Sequence, residues 1–88
     1  RGSKDLTNSA MTITPNPARG VFVVNLLPTQ QGYDLDVIDV LGRVVYTERD
    51  NMGQFTIAAV NWSSGLYSVV VKDHSTGKVM TSKVVIDK

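Results

Sequence analysis

Cysteine is absent from this 88-residue chain, which excludes a disulfide staple, a thiolate nucleophile and a cysteine-built zinc site. The redox compartment stays open, because an exported domain with an adequate core needs no disulfide. An excess of charge of one sign is also missing. Nine Lys or Arg stand against eight Asp or Glu, for a formal charge of +1, with no like-charged run beyond two residues. A phosphate-binding footprint is therefore unsupported, and nucleic acid is not an expected partner. Apolar stretches such as Val21 to Val24 and Val69 to Val71 fall far short of the roughly 18 residues that a helical membrane span requires. The opening Arg1-Gly2-Ser3-Lys4-Asp5 lacks the charged-then-apolar order of a secretory signal peptide. Residues 1–10 are polar apart from Leu6 and are expected to be a flexible linker or an expression remnant, with any export signal on a larger precursor.

Helix formers are sparse, whereas fourteen Val, four Ile and eight Thr supply stiff β-branched side chains that suit a pleated surface. The chain length suits one domain, placed here at residues 11–88. Met11 to Thr14 alternates, and Pro15-Asn16-Pro17 ends that strand because proline donates no ladder hydrogen bond. Val21 to Leu27 is a strand with Phe22, Val24 and Leu26 inward, and Tyr33 to Val37 has Leu35 and Val37 inward with Asp34 and Asp36 in water. Asp39 to Tyr46 reads as a hairpin of two apolar runs about Gly42, with Asp39 and Arg43 as its turn residues. A turn at Asp50 to Gly53 precedes a strand from Phe55 to Ala58. Leu66 to Lys72 is the strongest strand, with Tyr67, Val69 and Val71 on one side; a turn containing Gly77 leads to a last strand, Lys78 to Asp87. About seven short strands near ten-residue spacing predict an all-β, Ig-like antiparallel sandwich, with a small SH3 or OB barrel as the structural alternative.

The candidate sites are few. His74 lies between Asp73 and Ser75, but consecutive turn residues cannot take up the spatial order of orienter, base and nucleophile, so it reads as a solvated turn histidine and no enzyme is expected. Asp34 and Asp36 share a strand face and with Asp39 or a turn carbonyl offer oxygen ligands to a hard cation, though without loop-type calcium spacing; a solvated face is the favoured reading. No metal or cofactor is expected. Trp62, Tyr33, Tyr46 and Tyr67 would make a sugar-binding platform if exposed and coplanar, or a core if packed, and the alternation of Tyr67 with Val69 favours the core. Asn61-Trp62-Ser63 fits a glycosylation sequon that carries no weight without a eukaryotic secretory context.

Four motifs in order carry more. They are Pro15-Asn16-Pro17 with Gly20; Asp39-Val40-Leu41-Gly42-Arg43-Val44-Val45; Ser64-Gly65-Leu66-Tyr67-Ser68-Val69-Val70-Val71; and Gly77-Lys78 with Lys83-Val84-Val85-Ile86-Asp87-Lys88. Together, over residues 13–88, they resemble the type A C-terminal sorting domain of the Bacteroidetes type IX (Por) secretion system. Thr14 replaces the usual short aliphatic residue before the first proline, and Trp62 stands two residues ahead of the usual leucine position. The resemblance implies a domain without catalysis that directs a folded cargo from the periplasm through the outer-membrane translocon, with shuttle proteins as partners. It also implies removal by a sortase-like cysteine peptidase, with the cargo released or joined to anionic lipopolysaccharide at the cell surface. Residues 1–10 would be the cleavable linker.

By the same resemblance, recognition would fall on Pro15, Asn16, Pro17 and Gly20, on Gly65 and Tyr67, and on the last strand from Lys83 through Val84, Val85 and Ile86 to Lys88. A terminal strand that frays presents unpaired backbone groups, so a receptor would grip it by strand addition, with Lys83 and Lys88 as charged rim contacts; a sheet edge or this terminal strand would support a weak dimer. Val84 and Ile86 serve either fold or receptor, and Gly65 and Tyr67 have a structural reading as turn and core aromatic. A carbohydrate-binding or adhesion module and a passive spacer are the competing functions.

Overall fold

The computed structural model describes residues 11–88; the expected linker at residues 1–10 lies outside the described residues. Seven strands follow one another: β1 (Met11–Thr14), β2 (Val21–Leu26), β3 (Tyr33–Ile38), β4 (Val44–Asn51), β5 (Gln54–Ala58), β6 (Gly65–Asp73) and β7 (Val79–Ile86). They form two antiparallel sheets, one of order β1-β2-β5 and one of order β4-β3-β6-β7. This is the expected immunoglobulin-like sandwich, with three strands facing four, and the barrel alternative falls because neither sheet closes on itself. The radius of gyration is 12.8 Å.

The period-2 patterns decide which residues meet between the sheets. Phe22 and Val24 of β2 with Phe55 and Ile57 of β5 face Leu35 and Val37 of β3, Val69 and Val71 of β6, and Val84 and Ile86 of β7; all are fully buried or nearly so. Each such side chain contributes about 1.5–3 kcal/mol by leaving water. Register keeps the pattern coherent, since Val37 lies opposite Val69 and Tyr67 opposite Val84 in the same sheet.

Most strand ends differ from the sequence reading by a residue, and three differences have a visible cause. Val40 and Leu41 are in the β3–β4 turn and not in a strand, because Asp39 gathers the backbone there: its Oδ1 accepts from the N–H of Leu41 (2.9 Å) and of Arg43 (3.0 Å). Gly42 has φ +85°, the left-handed conformation that this short connection needs. β4 also runs on through Asp50 and Asn51, which narrows the expected turn to Met52-Gly53. The last strand is Val79–Ile86, because Asp73 and Gly77 close the preceding turn through the Asp73 carbonyl (2.7 Å).

Candidate functional site

The first three motif segments meet the Lys83 to Lys88 part of the fourth at one end of the sandwich. The Pro15 to Gly20 corner passes from β1 to β2 along the outer edge of β7, where Ala18 forms a parallel bridge with Ile86. Asn16 donates from Nδ2 to the Lys83 carbonyl (3.1 Å) and accepts the Val85 N–H at Oδ1 (3.0 Å). Ala18 continues the row, donating its N–H to the Val85 carbonyl and accepting the Asp87 N–H, both at 2.8 Å. The side-chain amide of Asn16 and the backbone N–H and C=O of Ala18 thus act as an extra strand on β7.

This corrects the expectation of an unpaired terminal strand. From Lys83 to Asp87 the outer edge is already paired to the corner, so strand addition there would have to displace Asn16 and Ala18. Val84 and Ile86 point into the core, whereas Lys83 and Val85 are exposed on the outer face of the sheet. Lys88 is held as well: its N–H donates to Ser64 Oγ (3.1 Å) and its ammonium to the Val60 carbonyl.

Beyond β7 the row continues through Leu66, which pairs with Val85, to the β3–β4 turn. Pro15, Asn16 and Pro17 are exposed, Gly20 is half-buried, and Gly65 is exposed beside Ile86 in register. Tyr67 is buried, and its hydroxyl donates to the Ser63 carbonyl four residues back (2.7 Å). That is the tyrosine corner of immunoglobulin-like sandwiches, which pins the approach to the β6 strand. Gly77 sits in the β6–β7 turn at the far end, away from the other motifs, with φ +76°.

Sequence reasoning passed over Ala18 and gave Val40, Leu41 and Ser64, although they stand in the motifs, no recognition role. Val40 and Leu41 are 75% and 73% exposed. Two large aliphatic side chains in a turn, where polar residues are usual, were the available signal. The turn, Ser63 to Tyr67 and Arg43 enclose a cavity of about 170 Å³. Asp39 is held below the usual carboxylate range, first by the Arg43 backbone N–H and then by the Arg43 guanidinium, whose Nε donates to Oδ2 at 2.9 Å.

The other candidates resolve differently. His74 is in a turn, as expected, but its ring is pinned: Nε2 lies 2.9 Å from Asp34 Oδ2, and Nδ1 lies 3.0 Å from the Gln31 carbonyl. The Asp34 contact foremost raises its pKa. Asp73 and Ser75 bond each other and not His74, with Ser75 Oγ donating to Asp73 Oδ1 at 2.7 Å, so no catalytic relay forms. Asp34, Asp36 and Asp39 are not brought to one site. Asp36 accepts from Thr47 Oγ1 (2.7 Å), Asp39 belongs to its turn, and the group within 4.8 Å is instead Asp34, Asp50 and His74. No aromatic platform exists among the described residues. Tyr33 is buried with its hydroxyl donating to the Leu27 carbonyl (2.6 Å), Tyr46 donates to Glu48, and Trp62 packs edge-on to Phe22 and against Tyr67 at 5.0 Å.

The chain is an immunoglobulin-like sandwich in which most of the motif residues gather at one end. The chain belongs to the type IX secretion system's C-terminal sorting domain family: the family model for the secretion system C-terminal sorting domain matches residues 12–87. Among solved structures the fold is similar to part of PorZ from Porphyromonas gingivalis, described as an essential bacterial surface component of the type-IX secretion system, with a TM-score of 0.77 at 21% identity. The match covers 92% of this chain and 12% of that one. No curated protein sequence matches.

Proposed function

We propose that this domain is the export address of a larger cargo protein, recognised by the type IX translocon and its shuttle proteins through the surface on which the corner, β7, β6 and the β3–β4 turn lie side by side. The observation that carries the reading is the family match over residues 12–87, joined to the convergence of the motif segments at one end of the fold. On this reading the cargo crosses from the periplasm to the outer-membrane surface or the extracellular space. A sortase-like cysteine peptidase then cuts ahead of β1, in the polar stretch at residues 1–10, and the cargo is released or joined to anionic lipopolysaccharide. The contact surface is the exposed set Asn16, Gly65, Lys83 and Val85, while Tyr67, Val84 and Ile86 hold the fold that presents it. A weak dimer through the terminal strand would use the β7 edge from Val79 to Thr81, beyond the corner's reach, and one through another edge would use an outer strand such as β4.

Fusing residues 1–88 to the C-terminus of an unrelated periplasmic reporter in a type IX host tests this. Appearance of the reporter outside the cell, lost when the translocon is deleted, supports it; retention in the periplasm overturns it. The carbohydrate-binding alternative finds no support in the packing of the aromatic side chains.

A further inference from the structure

The cavity beside the β3–β4 turn has a size and a lining that select its occupant. At about 170 Å³ it is smaller than the roughly 300–1,000 Å³ of cofactor and drug-sized ligand pockets, and it matches a single aliphatic side chain. Its apolar walls are Val40, Leu41 and Leu66, all exposed to solvent. The one carboxylate in the lining, Asp39, is saturated by two backbone N–H groups and the Arg43 Nε. Its charge is offset by the Arg43 guanidinium, so it needs no further cation.

Arg43 is the remaining polar feature. Asp39 fixes the guanidinium at Nε, and among the described residues no acceptor meets the two Nη groups of this side chain, which is 72% exposed. An arginine anchored at one side and open at the other presents a fork suited to a carboxylate. The charge of the surrounding surface agrees. Lys88 stands beside the lining, its N–H on Ser64 Oγ, and Lys83 lies opposite Ser68 on the adjoining strand, with Asp87 as the neighbouring carboxylate.

We infer that this cavity is a socket for one aliphatic side chain of an extended acidic peptide segment, with Arg43 binding the carboxylate next to it. The inference deepens the sorting reading by giving the chemistry of the segment that the export machinery would supply. An uncharged apolar segment would leave the Arg43 fork unpaired, and a basic one would meet a positive surface.

The probe is a five-residue peptide, blocked at both ends, with one leucine between aspartate and glutamate. It is titrated into the isotope-labelled 88-residue chain while the backbone amides are followed by NMR. Saturable shifts are expected at Leu41, Arg43, Ser64 and Leu66, with a dissociation constant on the order of 1 mM or tighter. Replacing the leucine by serine, or the acidic residues by lysine, should each weaken binding about tenfold or more. Leu41→Ser should abolish the preference for leucine, and Arg43→Gln the preference for acid, with thermal melts confirming that both variants fold. Equal shifts with the leucine and serine peptides, or with acidic and basic ones, overturn the inference.

An export assay separates the two readings. If the wild-type fusion leaves the cell and the Leu41→Ser and Arg43→Gln fusions leave it as efficiently as a Leu27→Ser control at an exposed site outside this cavity, the socket is not the docking element and the sorting role stands. If the wild-type fusion is retained, the sorting role fails, and the titration alone judges the socket.

Discussion

Asn16 stands against Val85 as a neighbouring strand would, its side-chain oxygen accepting the Val85 N–H at 3.0 Å while its amide donates to the Lys83 carbonyl. A side chain sixty-nine residues away in sequence thus completes the edge of the last strand. Asparagine can do this because its amide carries both a donor and an acceptor, the same pair that a peptide unit offers.

Asn16→Ala should therefore remove both bonds at once and lower stability by about 0.5–1.5 kcal/mol, the net worth of hydrogen bonding at a solvent-exposed edge. Denaturant unfolding measures that loss. Hydrogen exchange should locate it, with the Val85 amide exchanging faster while the Val69 amide in the sheet interior keeps its protection. Asn16→Asp keeps the acceptor for Val85 and sets an oxygen against the Lys83 carbonyl, so it should fall between the two.

Tyr67 combines two contributions that substitution can separate. Tyr67→Phe loses the bond to the Ser63 carbonyl and should cost about 0.5–1.5 kcal/mol. Tyr67→Ala also empties a buried site against Trp62 and should cost about 3–5 kcal/mol. A domain of this size has roughly 4–13 kcal/mol in all, so the alanine variant verges on unfolding and the phenylalanine variant does not. Export measured with Tyr67→Phe thus reports on the hydroxyl, whereas loss of export with Tyr67→Ala reports on folding.

The pinned ring of His74 gives stability a defined pH dependence. Its pKa is raised in the folded domain, chiefly by the bond to Asp34 and next by the Gln31 carbonyl, so protonation favours the folded state. That contribution is fully present below the ordinary histidine value of 6.5 and is lost as pH rises through the higher folded value. Asp34 behaves in the opposite sense, held down mainly by His74, and its contribution fades as pH falls below 3.8 toward the lower folded value. The melting temperature should then drop between pH 6 and pH 8.5, and His74→Gln should flatten that slope. An unchanged slope in the variant would show that His74 does not set it.

The sandwich was legible in the sequence because burial follows alternation: Phe22, Val24 and Leu26 avoid Asn25, and the structure buries these three. Tyr67 was legible as a core residue for the same reason, but its bond to Ser63 depends on the corner geometry of the preceding loop. The role of Asn16 lay beyond a reading by periodicity, since it rests on a contact between opposite ends of the chain. Val40 and Leu41 were read as strand because they are aliphatic and flank a glycine. Asp39 overrides that propensity by drawing three donors onto its own carboxylate, and so leaves both side chains in water.

Truncation is a poor way to test the last strand, and the packing says why. Removing residues 83–88 deletes Val84 and Ile86 from the core and takes away the partners of Asn16 and Ala18, so the domain should unfold and export should fail for that reason alone. The outer face can be changed without touching the core. Lys83 lies opposite Ser68 and Val85 opposite Leu66, both on exposed positions of the sheet. Lys83→Glu and Val85→Thr should shift stability by no more than about 0.5 kcal/mol, as exposed substitutions do. If the translocon reads this face, the double variant of an exported fusion should accumulate in the periplasm while melting like the parent domain. Undiminished export of a fully folded double variant would place recognition elsewhere on the sandwich.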